Sequence, residues 1–479
     1  MIIKYELGSQ YYFYKLEDAK EMGKLNFILS NNKGDFLNLG YYSNVTKFQG
    51  YNVCNAKTLN VFKFVDEILP EGVECKKVGY GGYYASRKYA SKVTENLEVS
   101  NEEEEKSKDG KNSSVYDETS SLLTKDRFYL GPTGGFVYEI YDYEGKVCID
   151  LDMREQNDFD EWGRIYDVYE ENGIVYVEFT KYEGEVEEYK LFLGVKAVNF
   201  SYDLIKDFVK KEYSYSKERG SLHEWYVYRL MSVNVDNNKR LVIGAGFDKK
   251  EVSEQIFLLE GHQGDLERFD QSILSDLTKD REFGKPLTQD VSVAYKLSVN
   301  AVYKFLNKEL ENDNVSVGSF AGFPWFSNIW TRDELVGLGG FINLGEEGLV
   351  GEVLYNYLNL VDYNSGLLPR IEKEGTLQSA DGCFWLAKRF EDFIYYLERE
   401  GRLDKVLNDE RIGILYEKFY VIFEELVEKF WDEEEELLQV KKGDSWMDTI
   451  DVNFPVDIQV QFLELVSFLV VLSQVLGRE

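Results

Sequence analysis

Histidine is nearly absent from this chain of 479 residues, with only His223 and His262, far apart in sequence. That excludes a histidine-based metal site, and neither histidine has a nucleophile-elbow partner of the G-x-S-x-G kind. Acid–base chemistry therefore falls to carboxylates, and the sequence calls for no metal and no cofactor. Basic residues are also short: 55 Lys and Arg stand against 87 Asp and Glu, a formal net charge of −32. Nucleic acid and anionic membranes both require a basic face, so neither is an expected partner, whereas a neutral polymer is compatible. The four cysteines, Cys54, Cys75, Cys148 and Cys383, form no C-x-x-C pair, and Met1-Ile-Ile-Lys-Tyr-Glu6 contains no signal-peptide h-region. Both features point to a reducing cytoplasm. Long apolar runs are missing except Phe462 to Leu476, which carries Glu464 and Gln474 and reads as a buried helix too short to span a bilayer.

Aromatics are abundant, with 35 tyrosines and 31 phenylalanines, and together with few prolines and many Lys and Glu they suggest a heat-adapted intracellular protein. The length allows two or three domains. Up to about residue 280 the pattern is strand after strand, as in Gly173-Ile-Val-Tyr-Val-Glu-Phe179 and Tyr189-Lys-Leu-Phe-Leu193, with turns at Gly145 and Gly184. Tyrosines alternate with charged residues, the signature of antiparallel sheets with one wet face, and a β-sandwich is expected. The segment from about 99 to 118 includes Asn101-Glu-Glu-Glu-Glu-Lys-Ser-Lys-Asp-Gly110, has almost no apolar residue and reads as a mobile insertion. From 281 onward the period becomes helical, predicting helices at Leu287–Leu310, Arg332–Leu344, Gly345–Val361, Ala380–Glu400, Asp404–Trp431 and Val456–Leu476 with almost no strand.

The chemistry-bearing residues lie in the loops between these helices. Ala321-Gly-Phe-Pro-Trp-Phe-Ser-Asn-Ile-Trp-Thr-Arg-Asp-Glu334 joins exposed-type aromatics to a guanidinium and carboxylates, a set that can cover the C–H faces of a pyranose and hold its hydroxyls. Within it, Trp325, Trp330, Arg332 and Asp333 are candidate sugar contacts, although a helix start with Asp333 in its first turn would look the same. Asp381 and Trp385 open the next helix, where capping and core packing are equally adequate accounts. Asp448 follows Trp446 and Met447, an apolar setting of the kind that raises a carboxyl pKa and keeps a general acid protonated, though a loop or capping role is also open. Asp432 to Glu436 reads as a solvated helix end.

Five segments, in order, resemble the amylo-α-1,6-glucosidase domain of archaeal and bacterial glycogen debranching enzymes. They are Pro324 to Asp333 (P-W-F-x-x-W-G-R-D type), Gly366 to Pro369 (G-L-I-P), Ala380 to Trp385 (V-D-A-x-x-W), Ser445 to Asp448 (T-W-M-D) and Pro455 to Gln459 (P-V-E-I-Q). Phe27 to Gly34 is weakly similar to the family's N-terminal β domain. The resemblance implies a multidomain β plus α protein, an N-terminal β-supersandwich (1–280) followed by about half of an (α/α)6 toroid (281–479). It implies an inverting glycosidase that removes glucosyl stubs at α-1,6 branch points of glycogen or another branched α-glucan. Trp330, Arg332 and Asp333 would then grip the terminal glucose, Asp381 would line the pocket and Asp448 would be the general acid. Trp325, Trp385, Trp446 and Asp457 complete the expected substrate contacts. Inversion requires a second carboxylate roughly 6.5–9.5 Å from the acid, leaving room for a water.

The sequence departs from the family in one added residue within Phe326–Trp330, in Thr331 where the family has Gly, and in Asp457 where it has Glu. The family's catalytic base lies in a half of the ring that these 479 residues do not match. The expectation is a split enzyme in which a complementary polypeptide carries the second half of the toroid and the base, and covers the apolar face of the last helix. Other inverting exo-α-glucosidases, glucoamylase-like or trehalase-like, and a non-catalytic glucan-binding subunit are the alternatives.

Overall fold

The computed structural model describes residues 4–8, 11–15, 26–31, 33–40, 45–55, 57–80, 84–91, 124–197, 201–261, 289–311, 314–361, 366–371, 379–403, 409–441, 443–447 and 452–477. The expected insertion at about 99–118, His262 and the candidate acid Asp448 lie outside the described residues. The chain forms two compact units, Met1–Asn300 and Ala301–Glu479.

The first unit contains two antiparallel sheets. One has ten strands, in the order Lys4–Gly8, Tyr11–Lys15, Val73–Tyr80, Tyr84–Ser91, Thr124–Leu130, Phe136–Tyr141, Lys239–Gly246, Val186–Ala197, Ile174–Glu183 and Arg164–Glu171. The other has seven, Ser201–Glu212, Glu224–Asp236, Glu144–Glu155, Val61–Pro70, Gly50–Cys54, Phe36–Gly40 and Asn26–Ser30. The period of two determines what is buried. Phe136, Tyr138 and Ile140 point inward to meet Val147, Ile149, Leu151 and Met153 of the facing sheet. Val137, Ile174, Tyr176 and Val242 point the other way and are covered by Val252, Ile256 and Leu259 of a helix at Lys249–Gly261. Gly194 lets that helix sit close, because a Cβ there would be 2.7 Å from the Ile256 Cδ1.

Gly184 occupies the two-residue hairpin between Glu183 and Val186 with φ +62, as the sequence pattern predicts. Gly145 is not a turn centre: it belongs to the strand Glu144–Glu155, and Asp142, with φ 53, makes the turn where the chain leaves one sheet for the other. The expected wet face also needs correction. Lys63, Asp66, Asp152 and Arg154 of the seven-stranded sheet are buried in an ionic network. The segment after Glu155 covers them, with Arg154 donating to the carbonyls of Gln156 and Asp158. Tyr213 and Trp225 donate to Asp66 and Asp152. A period-two sequence marks which residues share a face, but whether a loop later covers that face is a tertiary outcome.

The second unit is helical. Starting the article's labels here, α1 (Gln289–Lys304) leads into it, followed by α2 (Thr331–Asn343), α3 (Glu347–Leu360), α4 (Ala380–Arg399), α5 (Asp409–Phe430) and α6 (Val456–Val475). Helix α4 packs on both α2 and α6, while α3 rests on α2 and α4 and α5 on α4 and α6. Leu335, Leu354, Leu386, Phe390, Phe419, Ile422, Leu465 and Phe468 belong to their shared core. The expected helix to Leu310 ends at Lys304 and is followed by a hairpin, Leu306–Glu311 with Asn314–Ser319. Helical and strand spacings coincide over a single turn, and the alternating Val315 and Val317 favour the strand. Asp432 to Glu436 is the turn of a second hairpin, Trp431–Asp432 with Leu437–Leu438, in which the Asp432 carboxylate accepts the amides of Glu434 and Glu435.

Helix α6 also differs from expectation. At 20 residues it is long and apolar enough to cross a membrane, and only 28% of its most apolar stretch is buried. Ile458, Leu465, Phe468, Leu469 and Leu472 face the core, whereas Val456, Val460, Leu463, Val470, Val471 and Val475 are exposed along one stripe. It is an apolar helix with one covered face, not a buried one.

Candidate functional site

The site is assembled from the N-terminal ends of α2 and α4 and the loops that reach them. The segment before α2 folds into a tight turn, with reciprocal backbone bonds between Gly322 and Phe326, that leaves Trp325 and Phe326 51% and 56% exposed. Trp330 bridges to Ile371 and meets Phe326 edge to face, ring centroids 6.4 Å apart. Thr331 then starts α2 fully buried, its amide donating to the Arg370 carbonyl at 3.1 Å and its hydroxyl to the Pro369 carbonyl at 2.6 Å. These bonds satisfy groups that a helix start would otherwise leave orphaned and pin the 366–371 loop to α2.

Arg332 Nη1 donates to Asp381 Oδ2 at 3.0 Å, and its Nη2 lies 3.6 Å from Asp333 Oδ2. Asp381 sits in the first turn of α4 with its side chain 1% exposed, and its Oδ1 has no hydrogen-bond partner among the described residues. Burial raises the Asp381 pKa above the ordinary carboxylate range, against the lowering effect of Arg332. The backbone of α4's first turn is held in turn by the 443–447 loop, whose Asp444 carbonyl accepts the amides of Ala380 (3.0 Å) and Asp381 (3.3 Å). Trp446 in that loop is 58% exposed. Phe384 of α4 and Phe462 of α6 meet edge to face near the starts of both helices. Asp457, in the first turn of α6, has both carboxylate oxygens buried without a partner among the described residues. The adjoining Gln459 amide grips Leu438 at both its N–H (2.9 Å) and its carbonyl (2.8 Å).

The structure thus brings Trp330, Arg332, Asp333 and Asp381 into one bonded cluster and carries Trp446 on a loop tied to it. Trp385 stands apart from them, packed against the hydrophobic core with the Arg389 guanidinium 5.1 Å from its ring centre. Three residues escaped the sequence reading. Arg370 donates a guanidinium N–H to the Gly443 carbonyl, linking the two loops. Glu334 is buried and accepts the Ser319 amide and the Tyr357 hydroxyl, which fastens the hairpin to α2 and α3. Cys383, its thiol pushed up to about 12 by burial, accepts the Leu368 amide at 3.3 Å. Only Arg370 had a sequence signal, standing next to the G-L-L-P turn.

A cluster of this composition can accept hydroxyl donors at Asp381 Oδ1, donate from Arg332 and present flat aromatic surfaces nearby. No family model matches the sequence, and no curated protein matches it. Among solved structures, a bacterial glucoamylase complexed with acarbose is similar at 9% identity and a TM-score of 0.44, over 92% of this chain and 66% of that one. A GH92-family inverting mannosidase of Bacteroides thetaiotaomicron is similar at 10% identity and a TM-score of 0.37, over 90% of this chain and 65% of that one. The chain spans just under two thirds of the length of each. Both likenesses are distant.

Proposed function

We propose that the helical unit carries the sugar-gripping part of an inverting glycoside hydrolase acting on the non-reducing end of a branched α-glucan. The observation that carries this reading is the Arg332–Asp381 pair. A carboxylate buried to 1% exposure is held by one guanidinium and left with an unused acceptor oxygen, beside aromatic side chains exposed to solvent. Burying a carboxylate with a free lone pair is costly, and a ligand hydroxyl would offset that cost. Glucose hydroxyls and C–H faces match the mixture of acceptor, fork donor and ring.

In this reading the substrate is a glucosyl stub on an α-1,6 branch, the reaction is debranching with inversion, and Asp448 donates the proton to the leaving oxygen. The base comes from a complementary polypeptide, whose helices continue the α2–α4–α6 packing over the exposed stripe of α6. That stripe supports the proposal because it prolongs an interface already formed twice in the unit, with i, i+4, i+7 spacing at Val456, Val460 and Leu463. The chain would then be one part of a toroid. Hydrolysis of panose and of a branched limit dextrin, compared with maltose and trehalose and followed by NMR for the anomer released, tests the assignment. Preference for panose with release of β-glucose supports debranching. Preference for maltose or trehalose selects a glucoamylase-like or trehalase-like enzyme, and glucan binding without hydrolysis selects a binding subunit.

A further inference from the structure

We infer that Arg370 is a positioning residue for this site, bracing the loop from which Asp448 follows; the inference rests on the glycosidase reading. Its backbone is fixed first. The Pro369 and Arg370 carbonyls accept the Thr331 hydroxyl and amide, and Ile371 bridges to Trp330, so Arg370 is anchored on the start of α2 from both sides. From that anchor its guanidinium donates to the Gly443 carbonyl. One residue on, the Asp444 carbonyl accepts the Ala380 and Asp381 amides. Two successive carbonyls of one loop are therefore held by two different supports, one from the start of α2 and one from the start of α4.

Glycine is needed at the first of them. Gly443 has φ +98, and a Cβ there would collide with Arg370 Nη2. The loop is braced at its base by the Asp444 carboxylate, which accepts the Lys441 amide at 2.8 Å, and at its tip by the Ser445 hydroxyl, which accepts the Met447 amide at 3.2 Å. Among the described residues Arg370 makes no ion pair, so its charge is directed to a carbonyl, and charge-assisted bonds of this kind are about twice as strong as neutral ones. The residue that follows Met447 is Asp448. A proton donor must be placed within a fraction of an ångström of the leaving oxygen, so a brace three residues behind Ser445 has catalytic weight without touching substrate.

The test uses the full chain, alone and with its complementary polypeptide, as wild type, Arg370→Met and Arg370→Lys. Amide exchange followed by NMR or mass spectrometry reads the brace directly. Exchange at Ala380 and Asp381 is expected to speed up in Arg370→Met, with Thr331, bonded to the Arg370 backbone, unchanged and with Arg370→Lys in between. In panose hydrolysis, kcat is expected to fall on the order of 10²-fold with KM nearly constant, as for a misplaced catalytic group. The alkaline limb of the pH–kcat profile should move as well, and Arg370→Lys should recover part of each. Unchanged exchange at Ala380 and Asp381 in Arg370→Met overturns the brace. Altered exchange with unchanged kcat and pH profile reduces Arg370 to a structural staple and overturns the positioning role. If the assembled wild type cleaves none of the glucosides, the glycosidase reading fails and the positioning role with it, while the exchange result still stands for the brace.

Discussion

Arg332 and Asp381 are separated by 49 positions in the chain, yet Nη1 and Oδ2 lie 3.0 Å apart, joining the first turns of two helices that pack side by side. The pair makes the arginine a structural and a binding element together. Removing the guanidinium strands a buried carboxylate, which costs roughly 3–5 kcal/mol where no other partner replaces it.

Arg332→Lys is therefore expected to lower glucan affinity and kcat/KM, because a point-charge ammonium cannot hold Asp381 and a sugar hydroxyl in one plane. Isothermal titration with panose and steady-state kinetics are the measurements. An unchanged kcat/KM would leave Arg332 with no part in binding.

Asp448→Asn is expected to abolish hydrolysis by the assembled enzyme while glucan binding stays close to wild type, since the change removes a transferable proton and little contact surface. Activity near the wild-type value would remove Asp448 from the acid role. Restored cleavage of an aryl glucoside with a good leaving group would support it, because such a substrate needs no protonation.

Asp381→Asn probes the free acceptor. The asparagine can still accept from Arg332 through one oxygen but presents an amide where Oδ1 now stands, so it should reject a donor hydroxyl and weaken glucose binding by about 1–3 kcal/mol, the cost of one mismatched buried hydrogen bond. Thermal denaturation run in parallel separates this from general destabilisation: a loss of binding with an unchanged Tm is the expected pattern, and equal loss of both would mark Asp381 as structural.

In the first unit, Asp35 supplies a pH-dependent term. Burial pushes its pKa up to about 6, opposed by the Asn31 amide and the Cys54 N–H, with Lys33 nearby favouring and Glu251 disfavouring the charge. A folded pKa above the unfolded one means that the native state binds the proton more tightly. This group's stabilising contribution is therefore complete below about pH 4 and is lost as pH rises through 6, by about 3 kcal/mol at 1.36 kcal/mol per pKa unit. Urea unfolding at pH 5 and pH 7.5 should show this slope in the wild type and a smaller one in Asp35→Asn. Equal slopes would place the titration elsewhere.

The exposed face of α6 predicts association. Covering Val456, Val460, Leu463, Val470 and Val471 gains about 25 cal/mol per Å² of apolar area, the scale on which obligate interfaces form. The chain alone is expected to release no glucose from branched dextrin and to bind a complementary polypeptide through this face, with Leu463→Lys weakening the complex in light scattering. A monomer that hydrolyses dextrin with inversion would overturn both the partner and the missing base.

Much of this was legible in the sequence because it is local. Period-two stretches such as Ile174–Phe179 and the helical period of Ala380–Arg399 encode which side chains share a face, and Gly184 encodes a left-handed turn. The candidate residues Trp330, Arg332, Asp333 and Asp381 were readable as types at helix starts. Their assembly was not. That Arg332 reaches Asp381, that Thr331 and Arg370 latch two loops together, and that Asp444 caps α4 are pairings across 38 to 73 positions, and residue order carries no direct record of them. Burial of Lys63 and Asp152 likewise depended on a loop folding over a face that alternation alone marks as wet. Composition determined that carboxylates, not histidines, would carry any acid–base chemistry; the fold decided which carboxylate is buried, which guanidinium faces it and which oxygen is left unpaired, because desolvation and hydrogen-bond geometry exist only once distant segments are packed.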